Sequence, residues 1–212
     1  MSCLNCRKCA AALFVAWSAV FAGCGVGDVP APTEYKTWDA KEGAFRIQYP
    51  ADWEAAGGGK QGTQWAKFTK GGAMIKVGVG LAGSLIGDIA SGGLASAHAG
   101  GSGEEMGLSK EQQEALAPVT RVHELRKEEM AKEHSDYKEL TASNISCKLG
   151  PARKGEFTAL GGLGGKLHGY HVTILGHNLR VSVVCTCPES NWAVLQPAFD
   201  KIIGDLDSSP SR

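Results

Sequence analysis

Alternating apolar and polar positions predict a set of β-strands in the body of the chain. Period-two alternation, in which every second residue is apolar, is typical of a strand with one buried face. The clearest segments are residues 45–49, 65–70, 74–79, 169–175 and 178–187. In the last of these, the apolar side chains share one face: Leu179, Val181, Val183, Cys185 and Cys187. Short glycine-containing turns between neighbouring segments predict hairpins.

A three-to-four-residue period predicts two helices. Residues 118–137 carry a loose apolar stripe, and Pro118 suits the first position of a helix. Residues 192–206 carry a denser stripe, and Pro197 is expected to divide them into a short turn and a main helix. Weaker strands are expected at 139–146 and 155–160. This order without regular β–α alternation predicts an α+β fold with a mostly antiparallel sheet.

Charge and composition narrow the class of protein. The 212 residues include 22 Lys+Arg and 22 Asp+Glu, so there is no net positive field to select nucleic acid. The 29 glycines are unevenly distributed, and residues 80–103 are rich in them. Because glycine disfavours helix, we expect a long loop over 80–103.

The N-terminus resembles a bacterial lipoprotein signal peptide. Arg7 and Lys8 precede an apolar stretch over residues 10–21, which spans about 18 Å as a helix and is too short for a bilayer. The stretch runs into Phe-Ala-Gly-Cys24, which resembles a lipobox and makes Cys24 the predicted lipidation site. We expect an exported protein held by acyl chains at the cell membrane or outer membrane.

These features predict the domain organisation. Residues 1–23 form the signal peptide, 24–36 the lipidated cysteine and a flexible tether, 37–206 the globular domain, and 207–212 a tail.

The remaining cysteines leave two alternatives open. Cys3, Cys6 and Cys9 lie in or against the signal peptide and are discarded with it. Cys185 and Cys187 share one face of a strand, where neighbouring residues rarely satisfy disulfide geometry. Cys147 either bridges to one of them, or the three are unpaired, buried thiols.

Short aromatic motifs resemble those of the PsbP-like superfamily, which includes an extrinsic subunit of photosystem II. Residues 45–53, FRIQYPADW, are similar to that family's opening pattern. Further support comes from GYHVT at 169–173, a Cys-Pro-x-x-x-Trp run ending at Trp192, and a terminal Phe-x-x-Ile-Ile helix. The resemblance covers about residues 37–206 and implies a sheet flanked by helices, an α/β/α sandwich. It does not imply one function, since the superfamily's partners are unrelated.

Histidines provide the candidate metal ligands. His168 and His171 are close in sequence, and some PsbP-like proteins bind divalent metal, so they are the predicted ligands. Residues three apart on a strand point to opposite faces, however, so shared chelation needs a bulge or bend at Gly169. His123-Glu124 begins a zincin-like motif, but Lys127 stands where the second histidine is required, which favours a solvated helix face.

No set of residues converges on a catalytic centre. Residues 78–83 fit G-x-G-x-x-G, but the glycine-rich sequence after them does not predict the helix that a dinucleotide site needs. We therefore expect no enzymatic activity and no cofactor.

The predicted function is a membrane-anchored accessory domain that binds an unknown protein partner. The alternatives are a divalent-metal or small-ligand carrier and a thiol-based redox role for Cys185 and Cys187.

Overall fold

A computed structural model describes residues 27–81, 110–162, 164–176 and 179–208. Within these ranges the strands are β1 Tyr35–Asp39, β2 Arg46–Pro50, β3 Glu54–Gly58, β4 Trp65–Lys70, β5 Ala73–Leu81, β6 Ser135–Cys147, β7 Gly150–Leu160, β8 Lys166–Gly176 and β9 Leu179–Pro188. The α-helices are α1, Lys110–Glu133, and α2, Trp192–Gly204. Short 3-10 helices cover Lys41–Gly43 and Glu189–Asn191.

Seven strands form one antiparallel sheet in the order β3-β4-β5-β9-β8-β7-β6, and β1 pairs separately with β2. All neighbours within the large sheet are antiparallel, and most are consecutive hairpins. In this sheet β9 returns to pair with β5, which brings residues 179–186 beside residues 74–81. The predicted α+β class with a mostly antiparallel sheet is confirmed.

Helix α2 packs on the more apolar face of the sheet. Alternation in β9 turns Val181, Val183, Cys185 and Cys187 into the same core as this helix. Leu195, Phe199 and Ile202 of the helix are fully buried there. Burial of such side chains contributes about 2 kcal/mol each, so the apolar period over 192–206 accounts for the docking of α2.

Helix α1 packs on the opposite face, over β6, β7 and β8. The apolar cluster on this side is small and consists of Met130, Phe157, Ala159 and Val184, with Tyr137 against it. The sheet thus lies between two helices, as the resemblance to the PsbP-like superfamily implied.

The structure differs from the sequence predictions at several elements. Strand β3, which ends in Gly57 and Gly58, lies between the predicted strands 45–49 and 65–70, where no strand was expected. A Cβ on Gly57 would lie 2.4 Å from Cζ2 of Trp38, so glycine allows the indole to pack on the strand. Helix α1 begins before Pro118, and α2 continues through Pro197 without a break.

The chain is packed well before the predicted domain boundary at residue 37. Val29 is 3% exposed and belongs to the larger core, and Asn191 Nδ2 donates a hydrogen bond to the carbonyl of Gly27 at 3.4 Å. At the other end, Asp207 pairs with Arg46 through two backbone hydrogen bonds. The predicted signal peptide, the predicted lipidation site Cys24 and residues 82–103 of the glycine-rich segment lie outside the described residues.

Candidate functional site

The predicted ligands His168 and His171 lie on opposite faces of β8. The imidazole of His171 stacks on His123 of α1, with ring centroids 4.2 Å apart. The imidazole of His168 stacks on Trp192 of α2, at 3.9 Å. No bend at Gly169 turns the two side chains together, because β8 keeps a continuous register with β9 from Leu167 to Gly176. The pair therefore does not form one site, and each histidine belongs to a separate cluster.

His171 is part of a polar cluster buried between α1 and the sheet. Helix α1 contributes His123, β6 contributes Glu139, and β8 contributes His171 and Thr173. Both histidines are 0% exposed, and the side chain of Glu139 is 9% exposed. We refer to His123, Glu139 and His171 as the buried histidine cluster. The prediction that His123 lies on a solvated helix face is wrong, because this face of α1 lies against the sheet.

Hydrogen bonds in the cluster run in one direction. A carboxylate can only accept, so His123 Nε2 donates to Glu139 Oε1 over 3.1 Å. The Nδ1 of the same ring then accepts from the Thr173 hydroxyl at 3.2 Å. His171 Nε2, 3.4 Å from the same hydroxyl oxygen, donates to it. In this arrangement the Nδ1 atom of His171 has a free lone pair. It is buried and has no hydrogen-bond partner among the described residues.

A glycine makes room for the contact between His123 and Glu139. Gly155 of β7 pairs with His171 across the sheet and lies beneath the two side chains. A Cβ at this position would lie 2.4 Å from Glu139 Oε1 and 3.0 Å from His123 Nε2. Any larger residue at 155 would displace one of these groups.

Burial and charge set the protonation states of the cluster. Burial lowers the pKa of His171 to about 3, and the neighbouring His123 and Arg126 act in the same direction. The ring is therefore neutral at pH 7. Burial opposes ionisation of Glu139, but hydrogen bonds from His123 and Lys127 outweigh it and lower the pKa of Glu139. Its carboxylate is ionised.

Lys127, which stands where a zincin motif has its second histidine, forms ion pairs instead. Its Nζ lies 3.1 Å from Glu139 Oε2 and 3.2 Å from Glu124 Oε2. The helix thus provides one imidazole at position 123 and a cation one turn later, while the second imidazole and the carboxylate come from β8 and β6. Sequence reasoning missed Glu139 and Thr173, since nothing along the chain indicates that they meet His123.

The His168 site on the other face is fully partnered. His168 Nε2 lies 2.7 Å from Glu156 Oε1, and Nδ1 lies 3.2 Å from Glu189 Oε2. With one carboxylate on each nitrogen and Trp192 against its ring, His168 links β8, β7 and the start of α2. This geometry is that of a structural polar network at the edge of the apolar core.

The three cysteines of the described residues are free thiols. Cys185 and Cys187 are buried, and burial raises the pKa of both groups, to about 12 for Cys187. Burial also raises the pKa of Cys147, whose thiol lies 3.9 Å from the carbonyl oxygen of Leu206. Since the thiolate is the reactive form, these groups are poorly suited to redox chemistry at neutral pH.

The first two glycines of the G-x-G-x-x-G match lie inside β5. Gly78 and Gly80 pair with Ser182 and Arg180 of β9, so this segment is strand rather than a phosphate-binding turn. Gly83 lies outside the described residues.

Comparison with known proteins assigns the fold. No protein-family model matches the sequence, and no curated protein matches it. Among solved structures, cyanobacterial PsbP (CyanoP) from Synechocystis sp. PCC 6803 is 11% identical, with a TM-score of 0.53 over 89% of this chain and 98% of that one. The chain has a PsbP-like fold. The resemblance found in the aromatic motifs is thereby confirmed at the level of structure.

Two further solved structures overlap less well. PA94 of Pseudomonas aeruginosa, a protein of unknown function, is 11% identical over 84% of this chain and 99% of its own, with a TM-score of 0.42. LpqN of Mycobacterium tuberculosis, involved in cell envelope biogenesis, is 10% identical over 84% of this chain and 91% of its own, with the same TM-score. At this TM-score neither structure adds to the fold assignment.

Proposed function

We propose that the protein is a lipid-anchored accessory protein of the cell envelope, whose PsbP-like domain binds a protein partner without catalysing a reaction. The observation that carries this proposal is the arrangement at the N-terminus. A basic and apolar leader ends at Cys24, and Gly27, three residues later, is already hydrogen-bonded to Asn191. No helix in the described ranges has the length and apolarity to cross a membrane.

Because Cys24 lies close in sequence to the packed part of the chain, an anchor there would determine which end of the domain lies near the bilayer. Only Gly25 and Val26 separate the cysteine from Gly27. Three Cα–Cα steps reach at most about 11 Å. Acyl chains on Cys24 would therefore hold the domain close to the bilayer, with the Asn191 end of the sheet nearest to it.

A second contact holds the chain just after Gly27 against the sheet. Val29 packs beside the β4–β5 turn, where a Cβ on Gly71 would lie 2.6 Å from its Cγ2. Gly71 has a positive φ of 53°, as this tight turn requires. The β4–β5 turn, Val29 and Asn191 thus lie together, at the end of the domain that an acylated Cys24 would hold near the lipid.

A non-catalytic role is supported by the partners of the reactive side chains. Cys185 and Cys187 are buried thiols with raised pKa values, and His168 is held between two carboxylates. His123 and His171 lie beneath a helix, out of reach of a large substrate. Binding of a protein partner does not require any of these side chains to react.

Metabolic labelling with an alkyne palmitate analogue tests the anchor. We expect the full chain to be labelled and recovered with membranes, and Cys24→Ala to lose both properties. Cys147→Ala, which removes a cysteine of the folded domain, is the matched control and should keep them. Label that persists in Cys24→Ala would overturn the anchor.

Native electrophoresis of the detergent-extracted chain after crosslinking in cells tests the accessory role. We expect a discrete species larger than the single chain that contains a second protein. Migration of the crosslinked chain only as a monomer would contradict the accessory role and leave the lipid anchor intact.

A further inference from the structure

Three side chains with metal-binding atoms meet between α1 and the sheet. One nitrogen from His123, one from His171 and one carboxylate oxygen from Glu139 all lie within 4.8 Å of one another. Each comes from a different element, so the convergence arises only in the folded chain.

His171 and Glu139 already present free lone pairs to a metal, and His123 does so once its ring proton moves from Nε2 to Nδ1. Hydrogen bonds to Thr173 leave Nδ1 of His171 with an unused lone pair in a site that is 0% exposed. A buried polar atom without a partner is costly, and such atoms in native structures commonly mark an ion or water site. Glu139 supplies the negative charge that a buried cation needs.

The donor set indicates which metal fits. Two imidazoles and one carboxylate are typical ligands of zinc, which is bound at about 2.0–2.2 Å with tetrahedral geometry. That geometry places ligand atoms about 3.4 Å apart, whereas the donor atoms here lie within 4.8 Å of one another. The two rings would tilt out of their parallel stack to converge on the ion. Thr173 would then accept a hydrogen bond from Nδ1 of His123 and orient the ring, as an outer-shell partner does.

We propose that His123, Glu139 and His171 bind one zinc ion that links α1 to the sheet. The inference does not depend on the lipid anchor or on a protein partner. It replaces the predicted pair of His168 and His171 with a site on one face of the sheet.

Lys127 regulates this site. Its ammonium group is paired with Glu139 and so competes with a cation for that carboxylate. Glu124, 3.2 Å away from the same ammonium, offers an alternative partner when zinc takes the carboxylate. Removing the charge at 127 should therefore tighten zinc binding.

Zinc should also stabilise the fold, because a ligand that binds only the folded chain raises its stability. The apolar cluster beneath α1 is small, and the ion would add coordination bonds between the helix and two strands. Thermal unfolding thus provides a second readout besides affinity.

Calorimetry on the full chain, purified in detergent and stripped with a chelator, tests the proposal with zinc chloride as the probe. We expect one zinc per chain and a raised unfolding midpoint. His171→Gln and Glu139→Gln should each weaken binding by at least about 100-fold. His168→Gln, the matched control on the opposite face, should leave the affinity within about 3-fold of the wild type.

Lys127→Met tests the proposal even if the variants that lack a zinc ligand do not fold. This variant retains all three donors, and we expect about 10-fold tighter binding than the wild type. Absence of stoichiometric binding to the folded wild-type chain would overturn the proposal. So would loss of binding in His168→Gln while folded His171→Gln binds normally.

Discussion

The two faces of the seven-stranded sheet hold their helices by different means. On the α2 face, a large apolar core surrounds Phe199, and the buried His168 has a carboxylate on each nitrogen. On the α1 face, the apolar cluster is small, and His123 and His171 stack beneath the helix with one nitrogen unpartnered among the described residues. Helix α2 is therefore held mainly by apolar burial. Helix α1 depends more on polar contacts, which include the proposed zinc ligands.

The largest effect is expected from removing an aromatic ring on the apolar face. Phe199→Ala deletes a fully buried side chain that contacts Trp53 and Trp192. We expect a loss of about 3–5 kcal/mol in the free energy of unfolding, measured by urea denaturation. Val194→Ala, on the exposed side of the same helix, should change stability by less than about 0.5 kcal/mol. Equal losses in the two variants would contradict the packing described for α2.

The second effect is a pH dependence that arises on the α1 face. A histidine in the unfolded chain titrates near 6.5, whereas folded His171 has a pKa of about 3. Between these values the unfolded chain binds more protons, so stability falls as pH falls below about 6.5. The slope is about 1.4 kcal/mol per pH unit, which amounts to about 2 kcal/mol at pH 5.

Denaturation in chelator between pH 7 and pH 4.5 measures this slope. The ring of His171 faces His123 and Arg126, which oppose its protonation, and Glu139, which favours it. His171→Leu should remove the contribution whatever its overall stability, and His168→Gln should retain it. An unchanged slope in His171→Leu would show that the titrating group lies elsewhere.

A smaller effect should come from filling the space beneath the buried histidine cluster. Gly155→Ala places a methyl group against Glu139 and His123, and we expect a loss of about 1–2 kcal/mol. Gly78→Ala is the matched control on β5, because a Cβ there meets nothing within 4 Å. It should be neutral or slightly stabilising in chemical denaturation. A loss in Gly78→Ala as large as in Gly155→Ala would indicate a general cost of replacing strand glycines.

The smallest effect is expected at an exposed ion pair that lies on neither helix. Lys148 Nζ is 3.3 Å from Asp207 Oδ2, with both side chains well exposed. Surface pairs of this kind contribute little, so Lys148→Ala should change stability by less than about 0.5 kcal/mol. A loss above about 1 kcal/mol would mean that the pairing of Asp207 with β2 depends on this contact.

Local patterns were sufficient to predict the apolar face. Alternation over 178–187 and the three-to-four-residue period over 192–206 match β9 and α2, because both reflect one continuous buried surface. Strand β3 was missed since Gly57 and Gly58 carry no strand signal. It forms because an edge strand can pair through its backbone alone, and Trp38 packs on the glycine.

The buried histidine cluster could be predicted only in part. His123 lies on the same helical face as Val119 and Met130, both buried, and this spacing could have indicated that it was not solvated. The meeting of His123 with Glu139 and His171 depends on how β6, β7 and β8 are arranged beneath α1. No local pattern along the chain encodes that long-range arrangement.

Anomalous diffraction from crystals of the full chain grown with zinc tests the distinction between the two faces most directly. Data collected on either side of the zinc absorption edge locate the ion without reference to any side chain. We expect one strong peak between His123, Glu139 and His171, about 2 Å from a nitrogen of each ring. A peak at His168, Glu156 and Glu189 instead, with none beneath α1, would contradict it.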